Sequence, residues 1–367
     1  MDMKKIANPH LLGIMPYKPG KPIDEVARER GLSKIIKLAS NENALGTPQV
    51  AIDAIVAAAE NQAAYPDGYG FYLKNALSKE LDVDTDKILI GNGSDELIVH
   101  LASIFIKEGL NVVSSKWSFV RYYQAASLAG GECKKIPMKN FTYDLEGILD
   151  AIDENTKLIY IANPNNPTGT ILKMDEIRIF LEKIPENIVI VFDEAYYDFV
   201  NDKDYAQTLE LQKEFSHLPI VTLRSFSKVY GLAGLRIGYG IVNDVEIAKL
   251  VNIIRGPFNV NSLAQSAALA CIGNHEHPRL SREHNIIEKE KYYKLFEELK
   301  LDYVKSETNF LIVNIEKNGD DFAEELLKRG LIIRAMGDWG LPLNFIRISI
   351  GKSHENEELI KNLKELL

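Results

Sequence analysis

The chain has 367 residues, 46% hydrophobic and 26% charged, with a formal net charge of −9, which is enough for about two domains of ordinary globular composition. The acidic balance argues against a nucleic-acid partner, because a surface that follows phosphates needs a basic excess, so any anion has to be bound locally. Cys133 and Cys271 are the only cysteines, which excludes a disulfide framework and a multi-cysteine metal site, and with no apolar run near the roughly 18 residues of a membrane helix and no apolar h-region after Met1 the expectation is a cytoplasmic protein without a membrane partner.

Residues 1–40, with Pro16, Pro19 and Pro22 and little periodicity, read as an extended arm lying against another part of the chain. A helix is expected over 48–62. Tyr65-Pro66-Asp67-Gly68-Tyr69-Gly70 is a turn-rich exposed stretch. Ile88-Leu89-Ile90-Gly91-Asn92-Gly93-Ser94-Asp95-Glu96 then runs from a short strand through a glycine turn into a helix. Free amides at a helix N-terminus attract an anion, and glycine lets a phosphate approach the backbone. The stretch lacks the Gly-Lys-Ser/Thr ending of a Walker A loop, and Glu96 takes the third glycine position of a dinucleotide fingerprint. On these residues alone, a phosphate site and a plain strand-to-helix turn both stay open.

Strands and helices alternate from there. A strand is expected over 111–114, a helix over 119–128, and a strand over 157–162 that ends in Asn163-Pro164-Asn165-Asn166-Pro167-Thr168-Gly169, where two prolines and a glycine force a turn. After a helix over 174–183 comes the apolar run 188–192, ending at Asp193-Glu194-Ala195-Tyr196. The run 220–223 leads into Ser225-Phe226-Ser227-Lys228, and a further apolar run follows at 237–242. Continuous apolar runs of this length are strands covered on both faces, so the expected class is α/β, with a mainly parallel central sheet flanked by helices. The carboxyl ends of such strands form the ligand crevice, which would gather Asn166, Asp193 and Lys228. An amine among apolar neighbours loses its proton more readily, because desolvation penalises the charged form, and the neutral amine can attack a carbonyl; Lys228 is therefore a Schiff-base candidate. Taken singly, the lysine could snorkel and the carboxylate could cap a helix.

After Pro257 the composition becomes more charged, and 282–300 reads as a solvent-bridging helix. Beyond it a small α/β unit is expected: strand 309–315, helix 321–329 closed by Gly330, strands 331–335 and 345–350, and helix 355–367. The expected division is an N-terminal arm, 1–40, joining the small domain; a large domain, 41–256; and a small C-terminal domain, 257–367. Alternation along 345–350 puts Ile346, Ile348 and Ile350 on one face and Arg347 and Ser349 on the other. Arg334 ends the preceding strand. Guanidinium is the side chain suited to two-pronged binding of carboxylate or phosphate.

Taken together, Asn-Pro-Asn-Asn-Pro-Thr-Gly at 163–169, Asp-Glu-Ala-Tyr at 193–196, Ser-Phe-Ser-Lys at 225–228 and Gly-Leu-Arg-Ile-Gly at 234–238 resemble the fold type I aminotransferases that use pyridoxal 5′-phosphate (PLP). The resemblance runs along essentially the whole chain. The steps of 35 residues from Asp193 to Lys228 and of 8 from Lys228 to Arg236 match that family. It implies that Lys228 holds the cofactor and then, as a free base, moves a proton between substrate and cofactor. Asp193 would face the ring nitrogen, Asn166 and Tyr196 the ring's phenolic oxygen. Gly93, Ser94 and Asp95, with Ser225 and Arg236, would hold the phosphate, and Phe119 would stack on the ring.

Within the family, Pro16-Tyr17-Lys18-Pro19-Gly20, Asn41-Glu42-Asn43, Tyr65-Pro66-Asp67, the turn at 91–96 and the pair Arg334 and Arg347 resemble the branch that acts on histidinol phosphate, although Ala44 stands where that branch usually has proline. The implied reaction passes an amino group from glutamate to imidazole acetol phosphate in histidine biosynthesis. Arg347 would serve carboxylate and phosphate in turn, with Arg334, Tyr17 and Asn166 adding substrate contacts. A homodimer is implied, in which Tyr65 reaches the cofactor phosphate of the neighbouring subunit. An aromatic or broad-specificity aminotransferase, or a phosphothreonine-type decarboxylase, would share the cofactor and stays open. Ser225 to Lys228 also spells the Ser-x-x-Lys of penicillin-binding proteins, but Ser-Asp-Asn and Lys-Thr-Gly are missing.

Overall fold

The computed structural model describes residues 3–14, 16, 20, 22–32 and 34–367. Its strands, in chain order, are β1 (Ile36–Lys37), β2 (Ile88–Gly91), β3 (Asn111–Ser115), β4 (Glu132–Ile136), β5 (Thr156–Ala162), β6 (Val189–Asp193), β7 (Ile220–Ser225), β8 (Gly238–Val242), β9 (Tyr303–Val304), β10 (Phe310–Asn314), β11 (Leu331–Ile332), β12 (Arg334–Ala335) and β13 (Phe345–Ser349). Among the described residues the large sheet has seven strands in the order β2-β8-β7-β6-β5-β3-β4. All run parallel except β8, which is antiparallel to both β2 and β7. The α/β class and mainly parallel sheet expected from the apolar runs are what the chain forms.

The central strands are covered on both faces, which is why they carry no polar alternation: Leu158, Ile159, Tyr160 and Ile161 of β5 and Ile190, Val191 and Phe192 of β6 are fully buried. Their cover comes from α4 (Ser94–Phe105), α5 (Val120–Leu128), α6 (Leu145–Asp150), α7 (Met174–Leu181), α8 (Thr208–Glu214) and α9 (Val245–Ile254), each of which contributes apolar residues to the same core. Ahead of these, α1 (Ile23–Arg30), α2 (Gln49–Ala59) and α3 (Phe71–Leu81) precede the sheet in the chain. The 1–40 stretch is therefore not simply extended: α1 forms after Pro22 and closes on Gly31 in a left-handed conformation.

The helix α10 (Ser262–Cys271) shares a core with residues of α2, α3, β2 and β8. The change in composition after Pro257 thus does not coincide with a change in packing; the C-terminal core takes up the chain at α11 (Glu276–Glu298). That helix is not the solvent-bridging one its charges suggested. It buries Tyr292, Tyr293, Leu295 and Phe296 and also Asn285, Glu288 and Lys289, whose polar groups find partners: Asn285 donates to the Thr308 carbonyl, Glu288 accepts from Ser353 and Asn356, and Lys289 donates to the Ser306 carbonyl.

With α12 (Gly319–Lys328) and α13 (Ser353–Leu366), α11 covers a four-stranded antiparallel sheet, β12-β13-β10-β9. The stretch 331–335, read as one strand, is two. β11 pairs in parallel with β1 of the N-terminal segment, and β12 pairs with β13. An unbroken Leu-Ile-Ile-Arg run gives no sign of a change of partner. No helix among the described residues is long and apolar enough to cross a membrane.

Candidate active site

The strand β7 ends at Ser225, and the chain turns sharply after it. Ser227 donates its amide to Ser225 Oγ at 3.0 Å, Phe226 is buried, and Gly231 amide bonds back to the Lys228 carbonyl at 3.1 Å. Gly231 has φ +65°, and a Cβ there would lie 2.2 Å from the Gly46 carbonyl oxygen, so the turn packs directly on the N-terminal segment. Asn43 Nδ2 fixes the Val229 carbonyl at 2.6 Å. These bonds leave Lys228 half-buried, with Nζ 5.4 Å from the centre of the Tyr196 ring.

Lys228 opens into a cavity of about 280 Å³ between the two sheets. Its lining includes Gly93, Ser94, Asp95, Phe119, Asn166, Asp193, Tyr196, Ser225, Arg236, Arg334 and Arg347, so residues from 93 to 347 meet in one space.

One end of the cavity is a cradle for an anion. Gly93 (φ +80°) precedes α4, whose first amides take no side-chain cap, and those amides form the positive end of a twelve-residue helix. The Arg236 guanidinium closes over the turn: a Cβ on Gly93 would meet Nη2 at 2.8 Å. Gly238, which starts β8, sits so close that its own Cβ would be 2.4 Å from the Ser94 amide nitrogen. Glycines at 93 and 238 are what allow strand, turn and guanidinium to converge.

At the floor, Asp193 ends β6 almost wholly buried. Tyr122 donates its hydroxyl to Oδ2 at 2.8 Å and the Ala195 amide donates to Oδ1 at 3.2 Å. Desolvation nevertheless dominates and pushes the Asp193 carboxyl up from 3.8 to about 6, with the Tyr122 hydrogen bond opposing. The Tyr122 hydroxyl, buried beside that carboxylate, is raised far above its ordinary value and stays a donor.

On the wall, Tyr196 Oη accepts from Asn41 Nδ2 at 2.9 Å, and Asn41 (φ +55°) is held by Ser349, whose Oγ accepts the Asn41 amide and donates to Oδ1, each at 2.8 Å. In the 163–169 turn, Asn163 and Asn165 fold the loop on itself through Leu172 and Thr168, so that Asn166 is the one whose side chain meets the small domain. Its Oδ1 accepts from Arg347 Nη1 at 2.7 Å, while Nη2 donates to the Ala39 carbonyl at 2.9 Å. The guanidinium lies 5.2 Å from the centre of the Phe310 ring and 5.3 Å from that of Trp339. As alternation along β13 indicates, Ile346, Ile348 and Ile350 join the small-domain core and Arg347 faces the other way. That other side is the cavity, and Arg347 is buried there.

One expected residue is not brought to this site by the single chain: Tyr65 is 82% exposed and stacks on Phe258, ring centres 4.7 Å apart. Tyr17 lies outside the described residues. Three neighbours of the cavity residues were not singled out from sequence: Tyr122 beneath Asp193, Trp339 beside Arg347, and Arg121, which pairs with Asp95 at 2.7 Å; Asn41 is legible there only as part of the Asn41-Glu42-Asn43 motif, without its contact to Tyr196. For Tyr122 a signal existed, since a tyrosine on the apolar side of a helix needs a partner for its hydroxyl.

An anion cradle, a buried carboxylate and a half-buried amine lining one cavity suit a flat, phosphate-bearing ring with a basic nitrogen and an aldehyde, which is the donor set PLP requires. Comparison with known proteins agrees. A family model described as aminotransferase class I and II matches residues 33–363. The chain is 43% identical over 355 residues to histidinol-phosphate aminotransferase 1 of Nitrosococcus oceani, covering 97% of this chain and 95% of that protein. It is 44% identical over 354 residues to the histidinol-phosphate aminotransferase of Caldicellulosiruptor saccharolyticus, covering 96% and 98%. Among solved structures, the histidinol-phosphate aminotransferase of Sinorhizobium meliloti in complex with pyridoxal 5′-phosphate superposes with a TM-score of 0.87 at 27% identity, covering 98% and 96% of the two chains.

Proposed function

The chain belongs to the class I and II aminotransferases, and from that premise we propose that it moves an amino group between histidinol phosphate and 2-oxoglutarate, giving imidazole acetol phosphate and glutamate, as a step of histidine biosynthesis with PLP as cofactor. The observation that carries this reading is the meeting of one amine, one buried carboxylate and two separate groups of cationic donors in a single cavity.

Bound there, PLP would supply an aldehyde for the incoming amine and a ring able to take up the electron pair left when the substrate's C–H bond opens. Lys228 Nζ is the base in this reading: once displaced by the substrate amine, it would take the proton from the substrate carbon and pass it to the carbon that was the cofactor's aldehyde. Asp193 would face a protonated ring nitrogen, and that cation would supply a charge partner for its buried carboxylate. Because Asn41 donates to Tyr196 Oη, the Tyr196 hydroxyl proton is left to donate to the ring oxygen, beside Asn166. The amides of α4, with Ser94, Ser225 and Arg236, hold the phosphate. Phe119 covers one ring face.

Arg347 and Arg334 form the second cationic group. A substrate phosphate and a glutamate carboxylate alternate in the reaction, and a guanidinium accepts either in the same fork geometry. Arg347 is already oriented by Asn166 and Ala39, so it loses little freedom when an anion arrives.

The reading extends to a homodimer in which Tyr65 reaches the neighbour's cofactor phosphate, and in which Tyr17 adds to the substrate site. In support, Tyr65 and its stacking partner Phe258 are exposed together with Val56, Tyr69, Phe71 and Tyr72, a larger apolar display than scattered surface residues give. Light scattering at working concentration tests it, a monomeric active enzyme being the contrary result. The unpaired Cys133 and Cys271 are in keeping with a reducing, cytoplasmic setting.

The substrate is tested by half-reactions on the PLP-loaded protein, following its near-visible absorbance with histidinol phosphate, glutamate, phenylalanine, tyrosine and threonine phosphate. Histidinol phosphate should convert the chromophore fastest among the amino donors other than glutamate. A faster response to phenylalanine or tyrosine would replace it with an aromatic specificity, and release of carbon dioxide from threonine phosphate with decarboxylation.

A further inference from the structure

The anion cradle contains a carboxylate. Asp95, in the first turn of α4, lines the same cavity as Ser94 and Arg236. In an empty site that placement is favourable, because negative charge near a helix N-terminus is stabilised by the free amides. It is unfavourable once a phosphate has to use the same amides, since like charges close together in a partly buried cleft repel strongly. The carboxylate also reaches Asp193, whose raised proton affinity owes part of its rise to Asp95. Left bare, Asp95 would oppose both a phosphate on the α4 amides and an ionised Asp193 in the same cavity.

It is not bare. Arg121, in the first turn of α5, places Nε 2.7 Å from Asp95 Oδ1, with only 24% of its side chain exposed. A second guanidinium nitrogen is fixed by Gln124 Oε1 at 2.9 Å, and Gln124 is buried. The guanidinium is thus held from both sides and belongs to the helix that starts immediately after Phe119.

We propose that Arg121 is a positioning residue for the cofactor phosphate: it neutralises and holds the Asp95 carboxylate so that the α4 amides and Arg236 face a dianion without a competing charge. This rests on the PLP reading above, but on no assumption about the substrate. It also differs from a purely mechanical role. If Arg121 only braced α5 and so oriented Phe119, its loss would weaken any ring in the cavity, phosphorylated or not.

The test is equilibrium binding of PLP and of pyridoxal, which lacks the phosphate, to cofactor-free protein, read by quenching of Trp117 and Trp339 fluorescence and by near-visible absorbance. Arg121→Gln should raise the Kd for PLP by about tenfold or more and change that for pyridoxal by less than about twofold. Arg121→Lys, which keeps a cation near Asp95, should retain most of the PLP affinity. Adding Asp95→Asn to Arg121→Gln should bring PLP binding back to within about threefold of wild type, because the charge that needed neutralising is gone. Near-UV circular dichroism shows whether each variant is folded, and Arg121→Lys keeps the test open should Arg121→Gln not be. Equal losses for PLP and pyridoxal, no recovery in the double variant, or unchanged PLP binding in Arg121→Gln would each overturn the proposal. If the wild type itself bound both ligands equally well, the phosphate cradle, and not Arg121, would be the part that failed.

Discussion

Replacing Asp193 with asparagine should make the cofactor-free protein more stable above neutral pH while removing most of its activity. Burial raises the carboxyl from 3.8 to about 6, and at about 1.36 kcal/mol per pH unit this corresponds to roughly 3 kcal/mol of stability lost once the group is ionised. The folded chain binds this proton more tightly than the unfolded one, so stability falls as pH rises from about 4 to about 6 and changes no further beyond that. Asparagine carries no charge and escapes the loss. It also has one acceptor oxygen where the carboxylate has two, so either the Tyr122 hydroxyl or the Ala195 amide loses its partner, at about 1 kcal/mol. The expected difference, variant minus wild type, therefore runs from about 0 kcal/mol near pH 4.5, where about 1 kcal/mol of the ionisation loss is already present, to about +2 kcal/mol at pH 8. Urea unfolding of both proteins without PLP at several pH values measures it directly. Stability curves that run parallel from pH 4.5 to 8 would show that burial of this carboxylate is not what sets its proton affinity. With PLP present the order should invert, because the wild-type carboxylate then has a cationic partner, and turnover of the variant should be lower by about 10²- to 10³-fold.

Lys228→Ala should abolish transamination and leave the melting temperature within a few degrees, and borohydride should no longer fix PLP to the chain; residual covalent cofactor would place the amine elsewhere. Arg347→Ala should weaken both glutamate and histidinol phosphate by about 2–3 kcal/mol in kcat/KM, and an effect on only one of them would mean that the two anions do not share this guanidinium. Gly93→Ala, at φ +80° and with its Cβ 2.8 Å from Arg236 Nη2, should cost about 1–3 kcal/mol of stability and loosen PLP, and a wild-type Kd in that variant would disconnect the turn from the phosphate. Lys289 is pushed down to about 8 by burial; its folded value is below the unfolded one, so the loss it imposes below pH 8 is recovered as pH rises toward 10.5. Lys289→Met should accordingly exceed wild type in denaturant midpoint at pH 7 by a margin that narrows toward pH 10, and a margin independent of pH would contradict this.

Much of the large domain was legible because its strands obey a local rule. A strand buried on both faces is apolar almost throughout, as 158–162, 188–192 and, apart from Thr222, 220–223 are. Asp193 follows the second run directly, and Lys228 follows the third after the short Arg224-Ser225-Phe226-Ser227 stretch, so both stand out by where the apolar residues end. β4 was missed for the converse reason: Glu132–Ile136 lies at the sheet edge and is largely solvated, where charge is favoured and an apolar run is not. The long charged helix misled for a related reason, since Glu288 and Lys289 look like solvent-facing residues until the partners that bury them are known.

The rest of the site was illegible because it is made between parts of the chain that are far apart in sequence. Asn41 reaches Tyr196 only because Ser349, 308 residues away, fixes its side chain, and Arg347 is aimed by Asn166 and Ala39 from two other segments. Nothing in the local pattern around 41 or 339 requires those contacts, whereas the turn at 225–236 can be read from its own glycines. In the proposed reading, the half of the cavity that holds PLP is lined by residues 93–236, and the half that binds substrate is completed by docking of the N-terminal segment and the strands carrying Arg334 and Arg347. A substitution that loosens that docking without touching PLP, such as Ser349→Ala, should then raise KM for both substrates while leaving cofactor affinity near wild type, and a loss of PLP instead would mean that the two halves are not separable in this way.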